Sequence, residues 1–191
     1  MASVKGTKTE KNLLAAFAGE SQARNRYTYA ASVAKKEGYE QIAAIFLETA
    51  ENEREHAKRF FKHLEGGMVE ISAAYPAGTI EDTLENLKMG AAGEHEEHTI
   101  LYPGFADVAD EEGFPEIAAT FRLIAAVEVE HEARYNKLIA NVENGEVFKK
   151  SAPARWKCRN CGYVHEGEEA PALCPACLHE KKYFEIKETN Y

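Results

Sequence analysis

Along residues 40–64, Ile42, Phe46, Thr49, Glu53, His56, Phe60 and His63 recur at alternating steps of four and three, the spacing of one helix face turned toward a bundle core. Ile117, Phe121, Ile124, Glu128, His131, Tyr135, Leu138 and Val142 repeat the pattern between Pro115, well placed as a first helical residue, and Gly145. Upstream, Thr7-x-x-Glu10 is a capping-box pattern that opens a helix running to about Lys36, where Gly38 stops it. A further helix is expected from near Ile80 to Pro103, which ends or kinks it, with a short helical continuation to Gly113. The pattern therefore predicts four helices in the first 145 residues. Short first-to-second and third-to-fourth connections favour antiparallel hairpins, and residues 66–79 are long enough to cross the bundle.

Each seam is interrupted at its middle by acid. Glu53/His56 and Glu128/His131 are Glu-x-x-His pairs, Glu20 lies among Leu13, Ala16, Phe17, Ala23 and Tyr27, and Glu94 among Ile80, Leu84, Leu87, Ala91 and Leu101. Glu20 precedes Glu53 by 33 residues and Glu94 precedes Glu128 by 34, so the chain contains a repeat: helix with Glu, turn, helix with Glu-x-x-His. A bare carboxylate in a core costs several kcal/mol, by order of magnitude, unless it is paired or metal-bound. Two such halves about a pseudo-twofold axis bring four glutamates and two histidines into one layer, the ligand set of a carboxylate-bridged two-metal site. Glu-x-x-His places an oxygen and an imidazole nitrogen on the same helix face, and a carboxylate-rich set favours iron or manganese over copper. One such tetrapeptide would read as an exposed ion-pairing face; two copies on the seams, at matched spacing, do not.

Composition divides the chain near residue 150. The 32 acidic and 23 basic residues give a net charge of −9, all of it from residues 1–150, while the four cysteines lie beyond. An acidic chain without a basic cluster opposes nucleic acid and anionic membranes, and no stretch approaches the length of a membrane helix. The N-terminal residues lack the apolar core of a signal peptide, so a cytoplasmic location is expected. Residues 146–155 read as a linker between domains at 1–148 and 149–191. Cys158-x-x-Cys161 and Cys174-x-x-Cys177, separated by 12 residues, form two knuckles suited to one tetrahedral metal. The spacing leaves zinc and iron open, and Trp156, Tyr163, Tyr183 and Phe184 would supply an aromatic shell to either.

The runs Ala16–Tyr27, Glu53–Arg59 and Ala91–His95, with the cysteine tail, resemble rubrerythrin over nearly the whole chain. That resemblance implies a mainly α protein, a ferritin-like four-helix diiron bundle followed by a small rubredoxin-like Fe(Cys)₄ domain, with three irons per chain. It adds Glu97 as a further carboxylate, which exchanges with His56 when the metal is reduced while His131 stays bound; the counterpart of Glu97 in the first half is Ala23. Tyr27 and Tyr102 match tyrosines that hydrogen-bond the metal-binding carboxylates. The diiron bundle tips the cysteine metal toward iron, as an electron carrier. The activity implied is reduction of hydrogen peroxide to water and protection against oxidative stress, with electrons from an external reductase or rubredoxin and a homodimer, or a higher homo-oligomer, as the working unit. A ferroxidase or iron-storage role is the alternative, and the cysteine domain argues against it. Glu130, about 200° around the helix from Glu128, reads as solvated or subunit-facing, and His95 and His98 as surface or supporting groups.

Overall fold

The computed structural model describes residues 3–189. Helix α1 (Lys8–Lys36) starts where Thr7 Oγ1 accepts the Glu10 N–H at 3.1 Å, and the Glu10 carboxylate reaches back to the Gly6 N–H, one residue earlier than a capping box requires. Gly38, at φ +86°, turns the chain into α2 (Glu40–Phe61), and the two helices pack closely as an antiparallel pair. Residues 62–82 then cross the bundle without helix or strand, and the Tyr75 hydroxyl pins them by donating to the Ala15 carbonyl at 2.8 Å.

One expectation for the third helix, its start near Ile80, needs correction. Asp82 caps α3 (Thr83–Glu96), leaving Ile80 exposed in the crossover. Past Pro103 the chain continues helically toward Gly113, as expected. A π-helical turn, Glu97–Leu101, leads into α4 (Tyr102–Glu111), and the Tyr102 N–H bonds to the Glu97 carbonyl five residues back. Proline has no N–H to donate and its ring crowds the carbonyl four residues earlier; one widened turn just ahead of it absorbs both effects. Helix α5 (Pro115–Glu143) completes the bundle.

The bundle core has two apolar clusters. One holds Leu13, Phe60, Tyr102, Phe114 and Phe121; the other holds Tyr27, Phe46, Leu87, Tyr135 and Leu138. The buried acids Glu20, Glu53, Glu94 and Glu128 occupy helix positions between the two clusters. The small domain is a sheet of order β2-β1-β3, antiparallel throughout, made from β1 (Lys149–Cys158), β2 (Val164–Glu169) and β3 (Phe184–Ile186). Trp156, Cys158, Cys174 and Phe184 fill its core. It rests near the start of α2, where Tyr39 stacks on Phe148 with centroids 6.2 Å apart. No described helix is long and apolar enough to cross a membrane.

Gly90 brings α3 close to α5. A Cβ there would lie 3.0 Å from the ring of Tyr135 and 3.4 Å from that of Tyr27, whereas one at Gly93 would meet nothing within 4 Å. Each Gly→Ala change gains about 1 kcal/mol of helix propensity. At Gly90 the overpacking of two buried rings, about 1–3 kcal/mol, outweighs that gain. In urea unfolding Gly93→Ala should be neutral to stabilising and Gly90→Ala destabilising by about 1 kcal/mol; equal midpoints would refute this close approach.

Candidate metal centres

Helices α1, α2, α3 and α5 bring the four seam glutamates and both histidines to one place. The ligand atoms of Glu20, Glu53, His56 and Glu128 lie within 4.8 Å of one another, and so do those of Glu53, Glu94, Glu128 and His131. The two groups share Glu53 and Glu128, with Glu20 and His56 on one side and Glu94 and His131 on the other. His56 Nδ1 is 2.8 Å from Glu53 and 2.9 Å from Glu128; His131 Nδ1 is 2.8 Å from Glu128 and 3.3 Å from Glu53. Each histidine therefore faces the glutamates of both halves.

These separations are short, but their angles are not those of hydrogen bonds. Both oxygens of Glu53 and of Glu128, one oxygen each of Glu20 and Glu94, and the Nδ1 atoms of His56 and His131 are buried without a hydrogen-bond partner. Orphaned polar atoms at this density would be strongly destabilising. A pair of cations receiving those lone pairs removes the problem, and the all-carboxylate-and-imidazole donor set suits iron or manganese. The other oxygens are held in place. Tyr27 donates to Glu94 Oε1 and Tyr102 to Glu20 Oε1, each at 2.5 Å, so a tyrosine from each half orients a carboxylate of the other. Both tyrosines are buried, as expected of groups that contact a buried acid.

Glu97 stands apart from both four-residue groups. It lies in the π turn and borders a cavity of about 610 Å³ enclosed by α1, residues 71–76 of the crossover and the Glu97 turn. Tyr27 and Tyr102 line the same cavity. The arrangement is thus one with His56 inside the cluster and Glu97 beside it. Glu130 is exposed, as the helix angle predicts. The cavity itself was not legible in the sequence, because its walls come from three separated stretches.

The electrostatics follow from burial. Burial, then the charges of neighbouring carboxylates, push Glu20 and Glu97 well above the usual carboxylate range. Glu94 rises to about 8, chiefly by burial and partly offset by His131. Burial would also raise Glu128, but contacts with His131 and His56 outweigh it and hold that carboxyl low. For the histidines burial acts to lower the pKa, and the glutamates overcome it, lifting His56 to about 9 and His131 to about 12.

In the small domain the Sγ atoms of Cys158 and Cys177 are 3.8 Å apart and those of Cys161 and Cys174 are 3.6 Å apart. Four thiolates bonded at 2.3 Å to a central ion form a tetrahedron with edges of about 3.8 Å, whereas a disulfide requires about 2.05 Å. All four sulfurs lie within 4.8 Å of one another. Each knuckle closes on a left-handed residue, Gly162 (φ 81°) in the first and Leu178 (φ 59°) in the second. Their N–H groups donate to the carbonyls of Cys158 and Cys174, each at 2.8 Å. The repeated turn puts both cysteine pairs in the same clasping geometry.

Metal-free protein should show the burden of the acid layer in its pH dependence. Glu94 keeps a proton in the folded state between pH 4.5 and about 8, and His56 between 6.5 and about 9, that the unfolded chain has released. The folded state therefore binds more protons, and stability falls as pH rises through this window. Glu128, held low, acts in the opposite direction only below pH 4.5. Bound cations displace those protons, so added Mn²⁺ or Fe²⁺ should raise the melting temperature more at pH 8 than at pH 6. Melting curves of chelator-stripped protein that are flat from pH 5 to 9 would contradict this account.

Known proteins agree with this geometry. The family model for rubrerythrin matches residues 11–139, and the model for the rubrerythrin rubredoxin-like domain matches residues 156–185. A rubrerythrin from Porphyromonas gingivalis is 66% identical, with 99% of this chain and 94% of that protein covered. The solved structure of fully reduced, all-ferrous nigerythrin is 32% identical with a TM-score of 0.64, covering 97% of this chain and 92% of that one. A bacterioferritin from Desulfovibrio desulfuricans, 23% identical over 73% of this chain and 82% of its own, shares the bundle fold with a TM-score of 0.62. A carboxylate-and-histidine site suited to two metals, a four-cysteine site suited to one, and matches to both family models establish that this chain belongs to the rubrerythrin family.

Proposed function

We propose that this protein is a peroxidase that reduces hydrogen peroxide to water (H₂O₂ + 2 H⁺ + 2 e⁻ → 2 H₂O) at a diiron site in the bundle. Electrons would enter through an iron held by Cys158, Cys161, Cys174 and Cys177. The division of labour falls at residues 1–148 and 149–191. The observation that carries the reading is the dry layer in which four carboxylates and two histidines converge with their lone pairs unpaired. When bound, two irons would supply the two electrons that O–O cleavage requires, and the cysteine-held iron would pass single electrons.

The chain's own residues prepare the rest. Glu53 and Glu128, shared by both groups, would hold both metals, with Glu20 and His56 completing one set of ligands and Glu94 and His131 the other. The Tyr27 and Tyr102 hydroxyls hold Glu94 and Glu20 in register and bring two phenolic protons to the edge of the layer. Glu97 lines the cavity, which is large enough for a small oxidant to approach, and would be the further carboxylate available to hold a metal there in exchange for His56. His131, buried within its four-residue group, would hold its metal throughout.

Placement of the small domain supports an inter-subunit electron route. It touches the start of α2 around Gly38 and Tyr39. Glu53 lies along α2 from Glu40 by a helix length of about 20 Å, a long path for an electron within one chain. A homodimer that brings one subunit's cysteine domain to the other's metal layer would shorten it. Cys161 is the exposed cysteine of the four, which makes that knuckle the natural edge for an external reductase to approach.

Anaerobically reduced protein should be reoxidised by one hydrogen peroxide per diiron centre, faster than by dioxygen, in stopped-flow absorbance; faster oxidation by dioxygen with iron release would favour the storage role instead. Cys161→Ser should leave bundle melting unchanged and slow steady-state peroxide turnover with an external donor by at least about tenfold, the scale of lost metal-site function. Undiminished turnover would remove the cysteine domain from the route.

A further inference from the structure

Outside the buried layer, a second group of metal-binding side chains lies between the end of α3, the π turn and α5. His95 and His98 are one helical turn apart, and both direct a ring nitrogen at the same atom, Glu132 Oε2. His95 Nδ1 is 3.2 Å and His98 Nε2 2.6 Å from it, with the rings 5.2 Å apart and nearly perpendicular. Glu132 Oε1 is occupied separately by the Asn136 side-chain N–H, at 3.3 Å, which fixes the orientation of the carboxylate. We propose that His95, His98 and Glu132 form a third metal site, specific for a borderline divalent cation such as Zn²⁺ and distinct from both the buried layer and the cysteine knuckles.

The donor set argues for this metal class. Two imidazoles and one carboxylate suit zinc, which is held by three protein ligands with a fourth position left to water. Bonds of 2.0–2.2 Å in a tetrahedron place donor atoms about 3.3 Å apart. The His95–Glu132 pair already has that separation, and the His98–Glu132 pair reaches it by opening about 0.7 Å. Exposure fits an exchangeable site: the His95 side chain is 59% exposed, with Glu132 at 23% and His98 at 15%. The cation would reach it directly from solvent. Because His98 belongs to the π turn and Glu132 to α5, an ion there would staple to α5 the segment that also carries Glu97.

The test is zinc titration of the iron-loaded, full-length protein, with bound zinc and retained iron measured by elemental analysis after dialysis. One additional Zn²⁺ per chain is expected with iron unchanged. His95→Gln, at an exposed position that folding does not require, and His98→Gln should each weaken that binding by at least about tenfold. Zinc should also slow amide hydrogen exchange across residues 95–101 in the unsubstituted protein but not in His95→Gln. The proposal is overturned if no extra zinc binds, if it binds equally to both variants, or if zinc is gained only as iron is lost.

Discussion

Four carboxylates packed into a layer that excludes water set the terms for this fold. Without cations, Glu20, Glu53, Glu94 and Glu128 repel one another and leave lone pairs unsatisfied in a medium that cannot screen them. The metal-free layer compensates by retaining protons on Glu94 and on both histidines, and by letting those histidines hold Glu128 ionised. The same arrangement becomes favourable once two cations take the protons' place. Apolar clusters on both sides of the layer, built around Phe121 and Phe46, supply the rigidity that keeps the acids together.

The two halves of the chain are related at the layer but not around it. Tyr27 bonds Glu94 and Tyr102 bonds Glu20, a reciprocal exchange between halves that matches the repeated glutamate spacing. The π turn breaks the symmetry. It adds a widened turn before Pro103, carries Glu97 to the rim of the cavity and presents His98 toward α5 on its other side. In the first half Ala23 stands where Glu97 stands in the second, and α1 runs through as an unbroken helix. The surroundings of the buried layer are therefore unequal, a π turn with a carboxylate at the cavity in one half and a regular helix with Ala23 in the other.

The cysteine domain solves a different problem with the same economy of geometry. A three-stranded sheet in a domain of about 40 residues buries too little surface to be stable by packing alone. Four sulfurs at tetrahedral spacing allow an ion to take the place of a larger core, and Trp156 and Phe184 close over it. Leu178 accepts a left-handed conformation that glycine supplies at the equivalent turn, so the clasp geometry is kept despite a less suitable residue.

Much of this was legible in the residues themselves, because helical period, glutamate repeat and cysteine spacing are local patterns with few physical solutions. The seam placed Glu20, Glu53, Glu94, Glu128 and His131 in the core, and each is buried. The cysteine intervals implied one four-sulfur site, and the sulfurs converge on one point. What required tertiary structure was everything set by the meeting of distant segments. Local sequence could not reveal that Pro103 would be accommodated by a π turn, because that depends on how neighbouring helices hold the chain on either side. Nor could it place Glu97 beside the cluster while His56 lies within it, enclose a cavity with the crossover, or set Glu132 of α5 against His95 and His98. Periodicity specifies which face of a helix is buried; the partner that face meets is decided only when the helices pack.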